Sequence, residues 1–169
     1  MNIIEALLDR VQKAYESLQK GDTTRSVVVN HSKDILDFQK MQLLEGKASS
    51  GEDLRPYYSE DLQPNGFFKS AESASRYAAW KKTISYPYNV TRNEDAPNLY
   101  INGKFHGELK VSFGTHDMSI DGSTTYSRNI VDKYGLNSFG LMPKYWNKIF
   151  FENGCYEELM QTFKKQIYG

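Results

Sequence analysis

A single cysteine, Cys155, and only three histidines occur in the chain of 169 residues. A lone thiol has no internal disulfide partner, and one cysteine with scattered histidines cannot furnish a structural zinc site, which needs several such ligands at short spacing. Neither sign of charge is in excess: 21 Lys and Arg stand against 21 Asp and Glu. The balance holds along the chain, at 7 against 7 over residues 1–50, 6 against 7 over 51–100 and 8 against 7 over 101–169. A surface built for nucleic acid or an anionic bilayer draws on a basic surplus, and there is none. Lys81-Lys82 and Lys164-Lys165 are the adjacent basic pairs, and both read as solvated helix faces. Apolar runs such as Val27-Val28-Val29 and Ile149-Phe150-Phe151 fall far short of the ~20 residues of a membrane helix, so no membrane partner is expected. Nothing at the N-terminus resembles a signal peptide, and a soluble product of a reducing cytoplasm is the expectation. Phosphate loop, dinucleotide fingerprint, nucleophile elbow and His-Glu-x-x-His are all missing, so no catalytic, cofactor-binding or metal-ligating residue is assigned.

What the chain does have is a core: 39% of its residues are hydrophobic and 14% aromatic, which excludes disorder throughout. Its length is that of one domain. Over residues 2–20, Ile3, Ile4, Leu7, Leu8, Val11, Tyr15 and Leu18 recur at helical spacing before Gly21. Residues 32–45 repeat the pattern more weakly, with Ser32 as a capping candidate and Gly46 as the stop. Residues 70–84 predict a third helix, closed by Pro87. Alternation over 105–113 places Phe105, Leu109, Val111 and Phe113 on one face of a strand. A turn at 114–117 and a return strand at Met118-Ser119-Ile120-Asp121 complete a hairpin. Helical character resumes over 123–134 and again from Pro143 to Tyr168, with an interruption at Asn153-Gly154. The fold class is α+β: a small antiparallel sheet packed against a long N-terminal helix and C-terminal helices, in one domain over 1–169. Residues 46–100 form a loop-rich, aromatic-rich arm containing one helix.

Two constellations offer chemistry. His106, His116, Asp117 and Asp121 on the hairpin could build a divalent-metal or general-base site, as in a small metal-dependent hydrolase, if register brought them together. The plainer reading is a polar turn, with His106 on the solvent face. Cys155 is expected as a buried structural thiol.

Aromatic residues are the unusual feature, crowding into the middle of the chain. Tyr57, Tyr58, Phe67, Phe68, Tyr86 and Tyr88 are the candidate interface residues. Tyrosines in such segments serve as core plugs, base-stacking platforms or interface anchors. A single-strand binder using Tyr57, Tyr58 and Tyr88 lacks the usual basic groove, and protein contact is the better functional reading.

Ile35-Leu36-Asp37-Phe38-Gln39-Lys40-Met41-Gln42-Leu43-Leu44-Glu45-Gly46, followed by Ser50-Gly51-Glu52-Asp53-Leu54-Arg55-Pro56-Tyr57-Tyr58-Ser59, resembles a segment of the neck proteins of tailed bacteriophages, also called tail-completion, head-tail connector or minor capsid proteins. Tyr77-Ala78-Ala79-Trp80-Lys81-Lys82 stands where that family carries a Tyr-Ala and a Lys. Asn98-Leu99-Tyr100-Ile101-Asn102-Gly103-Lys104-Phe105 is similar to the family's Leu, Thr-Gly, Asp-Phe pattern. Tyr134-Gly135-Leu136-Asn137-Ser138-Phe139-Gly140-Leu141 resembles a run in versions from phages of Bacteroides-like hosts. The resemblance implies a virion structural protein without cofactor, made in the host cytoplasm and located in the neck. Its partners would be further copies of itself in a ring, the adjoining portal, connector or tail proteins, and, non-specifically, DNA in the channel.

Overall fold

The computed structural model describes residues 3–57, 68, 70–86, 96–114, 117–122 and 125–168. Its elements, in order, are α1 (Ile3–Gln19), α2 (Asp22–Asn30), α3 (Ser32–Leu44), α4 (Ala71–Lys81), α5 (Lys104–Gly107), β1 (Leu109–Phe113), β2 (Met118–Gly122), α6 (Thr125–Tyr134), α7 (Pro143–Asn147) and α8 (Cys155–Tyr168). The two strands pair in one antiparallel hairpin among mostly helical surroundings, and the fold is α+β. The described residues group into two compact units. The first comprises Met1–Ile35, Val111–Ser119 and Lys144–Gly169, the second Leu36–Lys110 and Ile120–Pro143.

In the first unit, α1, α2 and α8 meet at one polar node. Thr23, almost fully buried, shares a 2.7 Å hydrogen bond with the Ser17 hydroxyl and accepts from Gln166 Nε2 at 3.0 Å. The α2 helix covers a stretch for which the sequence offered no periodic signal, and its β-branched Val27-Val28-Val29 have weak helix propensity. Gly21, at φ 77°, separates α2 from the end of α1, and burial of Val27 outweighs the weak propensity. Ser32, expected as an N-cap, instead donates its hydroxyl to the Val29 carbonyl. His31 joins α2 to α8, with Nε2 3.2 Å from Glu158 and Nδ1 3.3 Å from Asp34. The C-terminal helical region is interrupted where Gly154 takes φ 83°. Just before it, residues Lys148–Glu152 form a π-helical turn, closed by Asn153 N–H on the Lys148 carbonyl at 2.9 Å. Cys155 is buried as expected, and burial, with Glu158 and Glu157 nearby, pushes its thiol pKa up.

In the second unit, Leu43 of α3, Leu54, Phe105, Leu109 of β1, and Ile130 and Tyr134 of α6 form the apolar core. Two glutamines of α3, one turn apart and fully buried, hold the chain that follows α6. Gln39 Nε2 donates to the Ser138 carbonyl at 3.2 Å and its Oε1 accepts from Gly140 N–H at 2.8 Å. Gln42 Nε2 donates to the Gly140 carbonyl at 2.8 Å and its Oε1 accepts from Met142 N–H at 2.7 Å. Gly46 ends α3 at φ 71° so close to residues 96–97 that a Cβ there would lie 2.6 Å from Ala96 Cβ. Ser70 caps α4, accepting the Ser73 N–H.

The strand expected over 105–113 is corrected at its start: residues Lys104–Gly107 are a helical turn and β1 begins at Leu109. Gly103 at φ 78° redirects the chain, and Asn102 Oδ1 accepts the Lys104 N–H at 3.1 Å, which opens the turn. Adjacent Phe105 and His106 are then both buried, which alternation along a strand does not allow.

Candidate functional site

The second unit holds a pocket of about 440 Å³ that is partly open to solvent. Residues from five stretches of chain meet around it: Tyr57, Phe68, Tyr77 and Lys81 of α4, Leu99 with residues 101–105, and Ile130 and Tyr134 of α6. Helical spacing explains the α4 and α6 contributions. Tyr77 and Lys81 are i,i+4 on one face of α4, and Ile130 and Tyr134 are i,i+4 on α6.

Tyr57 packs edge to face against its aromatic neighbours. Tyr57 meets Tyr77 with ring centroids 5.2 Å apart at 82°, and meets Phe68 at 6.2 Å and 89°. Phe68 and Tyr77 lie 4.9 Å apart, and Tyr77 continues to Trp80 at 5.5 Å, with Trp80 half exposed at the edge. Such arrangements set the electropositive edge of one ring on the electronegative face of another.

Behind these rings lies Lys133, 4% exposed. Its Nζ donates to the Tyr57 carbonyl at 3.1 Å and sits 5.7 Å from the Tyr57 ring centroid, 5.8 Å from that of Phe68 and 5.2 Å from that of Tyr134. Burial lowers its pKa to about 8, since a cation loses hydration there. Burial also raises the Tyr134 pKa strongly, with Tyr57 and Tyr77 adding to it, and raises that of Tyr77, with Tyr86 adding. These phenols stay neutral.

Lys81, read from sequence as part of a solvated basic pair, is 2% exposed, whereas Lys82 is exposed. His106, expected on the solvent face, is 3% exposed. Its pKa falls to about 4, through burial first and then the Lys81 and Lys40 cations, while the Asn98 backbone opposes the shift. Tyr100 packs edge-on to His106 at 5.3 Å and to Tyr86 at 5.3 Å. The buried Asn98 side chain donates to the Tyr86 hydroxyl and accepts from Tyr100 N–H at 3.1 Å. Between Asn98 and Tyr100, Leu99 lines the cavity at φ 52°, the one described non-glycine residue with positive φ.

Of the candidate interface residues, Tyr57, Phe68 and Tyr86 are thus half-buried in this aromatic assembly, while Tyr58, Phe67 and Tyr88 lie outside the described residues. The hairpin constellation is not assembled as a metal site among the described residues. Asp117 and Asp121 are exposed, His106 is buried on α5, His116 lies outside the described residues, and no group of three His, Cys, Asp or Glu side chains is placed to hold an ion. Sequence reasoning missed Lys133 and Tyr134. The signal was there: Ile130, Lys133 and Tyr134 form one i,i+3,i+4 stripe, and a lysine inside an apolar stripe is a buried lysine.

A second feature belongs to the first unit. Ile4, Leu8, Val11 and Tyr15 recur on α1 at spacings of four, three and four, and are 64%, 63%, 41% and 53% exposed. Buried Ala14 and half-buried Leu18 lie along one flank of this stripe. Phe151 at 66% and Tyr156 at 46% exposure add apolar surface near the start of α8.

The protein is therefore an α+β protein with an aromatic-walled cavity in one unit and an uncovered apolar helix face in the other. No family model, curated protein or solved structure matches the chain. None of its described helices is long and apolar enough to cross a membrane.

Proposed function

We propose that the protein is a virion structural protein of the head-tail neck of a tailed phage. It acts as one subunit of a ring between portal and tail, around the DNA channel. The observation that carries this reading is the open α1 face. Four large apolar side chains at alternating four- and three-residue spacing form the seam by which one helix packs on another, and an isolated chain leaves that seam in water. The motifs over residues 35–141 that resemble the neck family supply the class of assembly.

In a ring each protomer presents one surface to the next and receives another, so the seam meets a different patch of its neighbour and the contact closes by rotation. Catalysis has no part in this mechanism; burial of apolar area does the work. Balanced charge suits a subunit that borders DNA without gripping it.

Two measurements test the proposal. Native mass spectrometry of the purified chain should show a closed oligomer that Leu8→Glu reduces to monomer without loss of helical circular dichroism. Proteomics of purified phage particles that encode the chain should find it in the virion. A monomeric wild-type chain that is also missing from the particle overturns the reading.

A further inference from the structure

A contact that closes a ring has two unlike sides, and the α1 stripe supplies one of them. The other must be a second apolar surface on the same chain, since each protomer receives what its neighbour presents. Such a surface runs along α8. Tyr156, Met160, Phe163 and Ile167 recur there at spacings of four, three and four, the same steps as Ile4, Leu8, Val11 and Tyr15 on α1. Tyr156 is 46% and Met160 37% exposed, while Phe163 and Ile167 are half-buried. Phe151, 66% exposed and with its ring 6.1 Å from that of Tyr156, extends the stripe at its start.

The two stripes also stand alike on their helices. Ala14 marks the buried side of α1 and Cys155 that of α8, each 1% exposed. Tyr15 follows Ala14 and Tyr156 follows Cys155, and successive residues stand about 100° apart round a helix. Each stripe therefore lies on a flank, turned from the buried side in the same rotational sense. The buried sides close the first unit and leave the flanks for a further helix. Each stripe spans three helical turns, roughly 16 Å at 1.5 Å per residue, so the two match end to end. A seam of alternating four- and three-residue steps is completed by another seam of the same period, whose side chains fill the gaps between its own. The chemistry is complementary as well: Leu8 and Val11 are stiff aliphatic knobs, and the flexible Met160 thioether adapts to the shape it meets.

We infer that the α1 stripe of one protomer packs against the α8 stripe of a second copy of this chain, with Tyr156, Met160, Phe163 and Ile167 as the receiving surface. The assignment rests on the ring proposed above and goes further by naming both faces of its contact. Pairing of α1 with the α1 of another copy would close at two protomers and leave the α8 stripe in water. Pairing of α1 with α8 covers both stripes and leaves one of each at the ends of any open chain of copies, so the contact repeats until the ring closes. A helix pair of three turns makes a contact at the low end of specific interfaces, on the order of 1,200 Å² in total, which suits a contact repeated round a ring.

Two variants of the full chain, studied by native mass spectrometry, test the pairing. Leu8→Glu disables the presenting face, and Met160→Glu, at a position already partly exposed, disables the receiving one. Each variant alone should be monomeric with unchanged helical circular dichroism. Mixed in equal amounts, they should form a one-to-one heterodimer and stop there. The intact α1 of the Met160→Glu chain fits the intact α8 of the Leu8→Glu chain, and the two faces left over are both blocked. If Met160→Glu does not fold, Tyr156→Glu takes its place. A closed oligomer that survives the α8 substitution overturns the inference and leaves the ring standing, with α1 seated on itself or on another patch. A mixture that stays monomeric, or a monomeric wild-type chain, overturns it too. The expected heterodimer from a chain missing from the virion would instead remove the neck assignment and leave the pairing intact.

Discussion

Gly140 donates its N–H to Gln39 Oε1 at 2.8 Å, a hydrogen bond between residues 101 apart in sequence. With Gln42 accepting from Met142 and donating to the Gly140 carbonyl, the two side chains of α3 satisfy four backbone groups of the irregular segment 138–142. They do for that segment what a neighbouring strand does in a sheet, because buried backbone polar groups must be paired.

Gln42→Leu keeps the bulk and removes both bonds, leaving the Gly140 carbonyl and the Met142 N–H unpaired. Each orphaned group costs about 1–3 kcal/mol, so urea denaturation should show a loss of roughly 2–4 kcal/mol. A variant within about 0.5 kcal/mol of wild type would mean that water replaces the amide.

Gly46→Ala should be among the most damaging single-methyl changes in the chain. The added Cβ lands 2.6 Å from Ala96 Cβ and 2.9 Å from the Pro97 carbonyl, at φ 71°. Left-handed strain and overpacking together give about 2–4 kcal/mol. Thermal melts of wild type and variant would reveal this directly, and matched melting temperatures would contradict the close approach.

His106 should make the protein acid-sensitive. Its folded pKa, about 4, lies below the ordinary 6.5, so in this window the unfolded chain binds a proton that the folded chain does not. The associated stability is complete above pH 6.5 and is lost as pH falls toward 4. Comparing denaturant midpoints over that range, His106→Gln should show a shallower decline than wild type; parallel declines would remove His106 as the cause.

Leu109→Asp places a carboxylate among Leu43, Phe105, Ile130 and Tyr134. An unpaired charge there should cost several kcal/mol, on the order of 3–5. Wild-type stability in this variant would show that β1 does not present Leu109 to the core.

Periodicity made α1, α3, α4, α6, the hairpin and the C-terminal helical region legible, because each carries its own apolar spacing. Residues 22–30 were not, since three consecutive valines favour a strand locally and only the burial of Val27 with the Thr23 node makes a helix there. The start of β1 was misread because Phe105 and Leu109 share parity, while the Asn102 and Gly103 turn before them sets a helical turn. The density of aromatic residues drew attention to Tyr57, Phe68 and Tyr86. The cavity stayed hidden because its wall joins Tyr57, Tyr77, Leu99 and Tyr134, and no local pattern links side chains so far apart in sequence. Lys81 illustrates the same limit: its neighbour Lys82 is solvated, and only the turn of α4 distinguishes them.

Because the first unit is assembled from Met1–Ile35, Val111–Ser119 and Lys144–Gly169, it cannot form as the nascent chain emerges. Translation at about 5–20 residues per second leaves roughly 6–25 s between the exit of α2 and the arrival of α8. For that interval Ala14, Leu18 and Thr23 lack the helix that closes over them, and the outward stripe of α1 is bare beside them. High expression should therefore favour clumping of unfinished chains, and slower synthesis at low temperature, or supply of a chaperone that shields apolar helices, should raise the yield of soluble material.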